Sequence, residues 1–294
     1  MKDYLVYLLY VFFKFIFRII PNVLMKQILI ILSKIIYLLN KKHKKIARVN
    51  LDLAFANSID DKKKEEIIYK SYESLLFNMY EFIENQYISK ENLLNKAVIQ
   101  NEEIITNAIK QKRKIIFITA HYGGWELGIP YAALRYGNMA VVNRKMNNKY
   151  INEAYIKARN RNNIIMLDKK SAAKGMVKAL KSGNNVAVAI DQHAAIGINV
   201  EFFGKKVSAT DATSRLAVKF DALIIPMFAI TKDFRKYTIK VCEPIESKDI
   251  KAEDKILALT QIQANVIEKQ IKEQPELWFW QHKRWKEFHK SMYE

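Results

Sequence analysis

Cysteine is nearly missing from this chain of 294 residues: only Cys242 is present. An intrachain disulfide framework is excluded, which fits a reducing compartment. Glycine is also scarce, with eight residues, all between Gly123 and Gly204. Three of them, Gly123, Gly124 and Gly128, fall within one short stretch. Since glycine permits backbone conformations and close approaches that other residues resist, this clustering marks a special backbone site. Acidic residues are too few to balance the basic ones, 30 against 49, leaving a formal charge of +19. Such a field attracts anionic partners, although lysine spread over solvated faces produces the same total. Long uncharged apolar runs are lacking too, and the mean hydropathy of −0.15 excludes a polytopic membrane protein. There is no Walker or dinucleotide-binding glycine loop, no H-E-x-x-H motif and no cysteine pair, so neither a metal nor a cofactor is expected.

What is present begins at the N-terminus. Residues 4–38 are dominated by Leu, Ile, Phe, Tyr and Val, but Lys14, Arg18, Lys26 and Lys34 interrupt them and Pro21 splits them. The longest uncharged stretch, Tyr4–Phe13, is shorter than the roughly 20 residues a spanning helix needs. Two apolar helices hinged at Pro21 and embedded in one leaflet fit this pattern, with lysine and arginine stems reaching the headgroups. A tilted single span is the other geometry, and a buried helix pair the non-membrane one. The run reads as a retained anchor rather than a cleaved signal. Lys41, Lys42, Lys44, Lys45 and Arg48 follow it, a cytoplasmic, lipid-facing signature. The expected division is therefore an anchor over residues 1–40 and one domain over 41–294.

Helices are expected over 44–56 and 60–87. From about residue 100 strands and helices alternate. Buried strands are predicted at 114–120 (KIIFITA), 139–143, 164–167, 185–190 (NVAVAI), 223–230 and 237–241. Helices are predicted at 124–134, 149–161, 172–181, 211–220 and 252–272, with a short one over 278–288. The fold class is α/β, a mostly parallel central sheet flanked by helices.

Ligands of open α/β sheets sit beyond the carboxyl ends of strands. Two such ends carry chemistry: His121 in HYGGWELG and Asp191 in DQHAAIG. On one continuous helix His121 and Glu126 would point about 140° apart. They can meet if His121 ends the strand and Glu126 sits in the first helical turn, with Gly123–Gly124 as the corner. Histidine is the natural base near neutral pH, and a carboxylate fixes its tautomer. No serine or cysteine lies in the motif, so the base would activate an external hydroxyl. A chance histidine, with a glutamate complementing a helix N-terminus, would show the same spacing.

HYGGWELG resembles the H-x-x-x-x-D/E motif of the lysophospholipid acyltransferase superfamily. The whole chain is similar, more closely, to the lipid A late acyltransferases, the lauroyl/myristoyl transferases of Gram-negative bacteria. The resemblance runs through ARVNLDLAF at 47–55, the block 159–193, VEFFGKKVSATDATSRLA at 200–217 and PELWFWQHKRWK at 275–286. It implies acyl transfer from a thioester, usually on acyl carrier protein, to a hydroxyl of a lipid A precursor at the cytoplasmic face of the inner membrane. In that reading His121 is the general base and Glu126 orients it. Arg159, Asp191, Arg144 and Arg161 are substrate-binding candidates, Asp191 in a structural or orienting part. Arg144 falls where the family often has Y-R-P, with Asn143 and Lys145 replacing the flanking residues. Phe202 and Phe203 fall in a stretch the family places near the acyl and membrane end, or pack in the core. Trp278, Trp280 and Trp285 beside basic residues suit a lipid interface. His282 reads as structural or interfacial, and His193 as a possible substrate contact. Partners implied are acyl carrier protein, the lipid A precursor and anionic membrane lipids. Alternatives are a lysophospholipid or glycerolipid acyltransferase and a non-catalytic basic lipid-binding protein. Nucleic-acid binding is disfavoured, because no recognised nucleic-acid motif accompanies the charge.

Overall fold

The computed structural model describes residues 2–294, so residue 1 of the anticipated anchor lies outside the described residues. Two apolar helices come first, α1 (Lys2–Ile19) and α2 (Asn22–Leu39), and they part at Pro21. Proline fixes its own φ and disfavours the helical conformation in the residue before it, so the break falls there. Leu5, Leu9, Phe12, Phe13 and Phe15 of α1 and Val23, Leu38 and Leu39 of α2 are exposed. Only one stripe of α2 is covered, where Met25 and Leu29 pack on Leu76, Phe77 and Tyr80. Those partners belong to α4 (Asp61–Glu84), which follows α3 (Lys41–Phe55) and starts at Asp60, whose side chain accepts from the Lys63 amide. A capping aspartate of this kind satisfies an otherwise orphaned donor.

The α/β part opens with α5 (Lys90–Leu94), β1 (Ala97–Gln100) and α6 (Glu102–Lys110). Then come β2 (Ile115–Thr119), α7 (Trp125–Tyr136), β3 (Met139–Asn143), α8 (Lys149–Arg161), β4 (Ile164–Asp168), α9 (Ala172–Lys181) and β5 (Asn185–Ala189). A two-stranded hairpin, β6 (Ile198–Phe202) with β7 (Lys205–Ala209), precedes α10 (Ala212–Phe220), β8 (Leu223–Asp233), β9 (Lys236–Val241) and α11 (Lys255–Glu273). The seven-stranded sheet has the order β1-β9-β8-β2-β5-β3-β4. Its neighbours are parallel except β8 with β9. The expected mostly parallel α/β sheet is thus observed. Strand β2 lies inside it with every residue buried. Ile116 and Ile118 face one core, and Ile115 and Phe117 the other, as the period of two requires.

Three features differ from expectation. α5, β1, α6 and the β6–β7 hairpin had no counterpart in the sequence reading. Residues 278–288 form turns rather than a helix. Trp278, Trp280 and Trp285 are fully buried, not interfacial. Trp278 packs edge-to-face on Trp280, Trp285 and Phe202, and Trp285 lies tilted against Phe202, which places the VEFF stretch in the core. Three indoles remove more apolar area by closing this seam than by lying at an interface, so the tail gives up helical regularity.

Candidate active site

Strands β2 and β5 are parallel neighbours in a register that sets Thr119 opposite Ala189. Two residues further along each chain stand His121 and Asp191, so the register alone brings both side chains to the same edge. His121 Nδ1 lies 2.9 Å from Asp191 Oδ1, and the His121 amide donates to Asp191 Oδ2 at 3.1 Å. The indole N–H of Trp278 donates to that same Oδ2 at 2.8 Å. Asp191 is 2% exposed. Burial pushes its carboxyl upward, but the charge and hydrogen bond of His121, the nearby His282 and the Trp278 donor hold it well below the usual carboxylate range. An ionised carboxylate only accepts, so His121 carries its proton on Nδ1 and presents the Nε2 lone pair. Burial lowers the His121 pKa, yet Asp191 and then Glu126 outweigh this and raise it. The ring sits between Trp125 and Phe279, with centroids 5.6 and 6.5 Å away. Among the described residues Nε2 has no hydrogen-bond partner, and the side chain is 29% exposed.

The glycine corner is built as anticipated, and its reasons are visible. Gly123 has φ +55°, and a Cβ there would stand 2.2 Å from the Ala229 carbonyl oxygen. A Cβ on Gly124 would meet the Tyr237 ring at 2.5 Å. The corner is tied on both sides. Gly123 donates to Leu277 O at 2.8 Å, Gly124 to Ala229 O at 2.6 Å, and Phe279 to His121 O at 2.9 Å. Asn78 of α4 donates to Gly123 O and accepts from the Glu126 amide.

The expected pairing of His121 with Glu126 is not what forms. Glu126 does occupy the first turn of α7, but its carboxylate is ion-paired with the Arg159 guanidinium of α8. Asp191 already stands opposite His121 in the sheet, and Glu126 acts on the ring only through its charge. Arg159 is therefore a buried partner of Glu126, stacked 4.9 Å over the Tyr155 ring, rather than an open substrate ligand. Arg161 is directed elsewhere and donates to Asn85 O and Ile88 O beyond α4. Arg144 follows β3, is exposed, and forms no ion pair among the described residues. His193 lies 3.6 Å from Glu287 and reaches neither His121 nor Asp191 by hydrogen bond. His282 is structural. Its Nδ1 is 3.1 Å from Phe279 O, its ring stacks on Phe279, and burial holds its pKa down at about 4. Sequence reasoning missed Trp278 and Asn78. Trp278 lay inside the PELWFWQHKRWK block, where its donor, not its apolar face, was the functional signal. Among the described residues no cluster of His, Cys, Asp or Glu could hold a metal ion.

A buried carboxylate, a histidine with one nitrogen open and a glycine-built corner thus meet at the strand ends. The model of bacterial lipid A biosynthesis acyltransferases matches residues 1–287. The chain belongs to that family. It is an O-acyltransferase. Among relatives, the lipid A biosynthesis lauroyltransferase of Escherichia coli K12 is 27% identical over 87% of this chain and 83% of its own. A lipid A biosynthesis acyltransferase of Haemophilus influenzae is 25% identical over 82% and 76%. The palmitoleoyltransferase of Escherichia coli K12 is 25% identical over 84% and 79%. The family supports acyl transfer to a lipid A precursor.

Proposed function

We propose that this acyltransferase moves a fatty acyl chain from an acyl thioester, carried by acyl carrier protein, to a hydroxyl of a lipid A precursor. His121 is the general base, and Asp191 rather than Glu126 orients it. The observation that carries this reading is the open Nε2 of a histidine whose Nδ1 is fixed on a buried carboxylate. Nε2 takes the acceptor hydroxyl proton as the oxygen attacks the thioester carbonyl. The tetrahedral intermediate collapses by expelling the thiolate, which takes the proton back from the imidazolium. Asp191 offsets the transient charge on the ring. The Glu126–Arg159 pair builds the wall beside the base and adds its field without touching the proton. Residues 1–40 serve as a membrane anchor and 41–294 as the catalytic domain, on the cytoplasmic face of the inner membrane. The exposed apolar faces of α1 and α2 and the basic cluster of Lys41–Lys45 support that placement. Alone, α2 is also long and apolar enough to cross a bilayer.

The test is transfer from acyl carrier protein thioesters to a tetraacylated lipid A precursor in detergent, with His121→Ala beside wild type. Addition of one chain by wild type and a loss of at least about a hundredfold in the variant are expected. Transfer to lysophospholipids alone would replace the acceptor. No transfer by folded protein from either acyl carrier protein or coenzyme A thioesters would favour a non-catalytic lipid-binding protein.

A further inference from the structure

Tyr10, Lys14 and Arg18 are spaced by four, so they share one face of α1 and climb it by about 6 Å per step. That face turns toward the protein. Tyr10 and Lys14 are half-buried, and both reach the Gln86 side chain just beyond α4. The Lys14 and Arg18 cations lie 6.0 and 5.9 Å from the Tyr87 ring centroid. Tyr7, Tyr10, Lys14, Arg18, Tyr87 and Ala154 line a cavity of about 300 Å³.

Its charge is unbalanced. Among the described residues neither Lys14 nor Arg18 forms an ion pair, and the charge of Arg161 also reaches Lys14. Three carboxylates of α4 and α7 are already taken, while Glu73 of α4 and the exposed Glu153 of α8 form no ion pair among the described residues. Glu81 and Glu84 are paired with Lys96, Glu84 also with Arg235, and Glu126 with Arg159. Lys14, half-buried, and Arg18, exposed at the rim, thus stand at one concave site without an ion-pair partner, an arrangement suited to an anion.

A second cavity, of about 370 Å³, shares Tyr10 with the first and is walled by Met79, Phe82, Trp125, Glu126 and Ile151. It is mostly apolar, and Trp125 carries it to the His121 ring. The two hollows are neighbours across Tyr10, the one beside Trp125 greasy and the one beside α1 cationic.

We propose that Lys14 and Arg18 form a phosphate site for the acyl acceptor, holding its phosphate group while an apolar chain of the same molecule lies along Phe82 and Trp125. This rests on the lipid A precursor being the acceptor. Helix α1 is then part of the substrate site as well as an attachment to lipid. The same phosphate chemistry is offered by bulk phospholipid, so the two sources must be separated.

The experiment uses the full chain in detergent and compares kcat/KM for a phosphorylated acceptor with that for the same acceptor after phosphatase treatment. The proteins are wild type, Lys14→Gln/Arg18→Gln, and Lys34→Gln as an anchor control, each checked by circular dichroism. The site predicts that the preference for the phosphorylated acceptor collapses by about tenfold or more in the double variant, through KM, and persists in the control. An equal loss on both acceptors overturns it. So does an unchanged preference, and a double variant that then sediments less than wild type with phosphatidylglycerol vesicles but equally with phosphatidylcholine vesicles assigns the cations to bulk lipid. If wild type transfers to no lipid A precursor, the functional reading fails separately. The site is then judged by melting with dodecyl phosphate against dodecanol. Stabilisation by the phosphate in wild type but not in the double variant upholds a phosphate site, and equal stabilisation in both overturns it.

Discussion

Asp191→Asn separates the two carboxylates that could serve His121. In the wild type Asp191 Oδ2 accepts from both the His121 amide and the Trp278 indole, while Oδ1 accepts from Nδ1. An asparagine must keep its oxygen where two donors converge, so its NH2 turns toward His121 Nδ1. The ring then accepts at Nδ1 and protonates Nε2, and the base is lost. Reversal of a tautomer in this way costs on the order of 10³–10⁴ in kcat. The charge gives a consistent scale: opposite charges about 4 Å apart at an effective dielectric of 20 attract by roughly 4 kcal/mol, or about 10³ in rate. Removing the carboxylate also leaves burial at the histidine opposed only by the charge of Glu126. The acid limb of kcat/KM, set by a His121 pKa that Asp191 holds up, should move to lower pH. The assay is initial-rate acyl transfer across pH 5–9 with wild type, Asp191→Asn and Glu126→Gln. An Asp191→Asn enzyme within tenfold of wild type, with its acid limb in place, would refute the assignment. A Glu126→Gln loss of 10³ or more would then restore Glu126 as the partner.

Trp278→Phe should lower kcat by about 10–100-fold, the scale of one hydrogen bond to a charged group, and move the acid limb upward because Asp191 then pulls harder on the imidazolium. Trp280→Phe, whose indole serves only Pro275 O, should leave the limb in place in the same pH–rate series. Gly123→Ala forces a Cβ into the Ala229 carbonyl at φ +55°, and a loss of at least about 3 kcal/mol in denaturant unfolding is expected. Arg159→Met strands Glu126 and should cost about 3 kcal/mol by the same measurement, with part recovered in Arg159→Met/Glu126→Gln. His282 is held at about 4 when folded, against about 6.5 unfolded, so its contribution is complete above pH 6.5 and fades as pH falls toward 4. The wild-type minus His282→Gln stability should therefore drop by about 3 kcal/mol across that window in detergent melts, and a flat difference would remove His282 as the cause.

The sequence was informative wherever a property is local. The strands KIIFITA and NVAVAI, the helices 149–161 and 172–181, the break at Pro21 and the glycine corner all depend on residues within a few positions of one another. Both functional strand ends, His121 and Asp191, could be named for the same reason. Their pairing could not, because it depends on β2 lying beside β5, and strand order is a long-range property on which periodicity is silent. Nearness in sequence and the H-x-x-x-x-D/E spacing point to Glu126 instead. The tail fails in the same way. Three tryptophans beside basic residues satisfy the composition of a membrane interface and of a core seam equally, and only the neighbours decide. Those neighbours, Phe202 and Asp191, lie more than seventy residues upstream.

That tail explains why the catalytic edge can be so sparing in its own residues. The strand end supplies His121 and two glycines, and this corner has no side chain with which to brace itself. Besides Asn78 and Ala229 O, the bracing comes from residues 277–279, which offer Leu277 O to Gly123, Phe279 N to His121 O and the Trp278 indole to Asp191. Three consecutive residues thus fix the backbone of the base, the backbone of its corner and the carboxylate that orients it. Their own position is set by buried groups further along. Trp280 and His282 give their carbonyls to Asn50, and Arg284 donates to Ser208 O. A substitution at Asn50, far from His121 in sequence, loosens this strap and with it the dyad. Asn50→Leu should therefore lower kcat more than it raises KM, a split that sets a positioning role apart from one in binding.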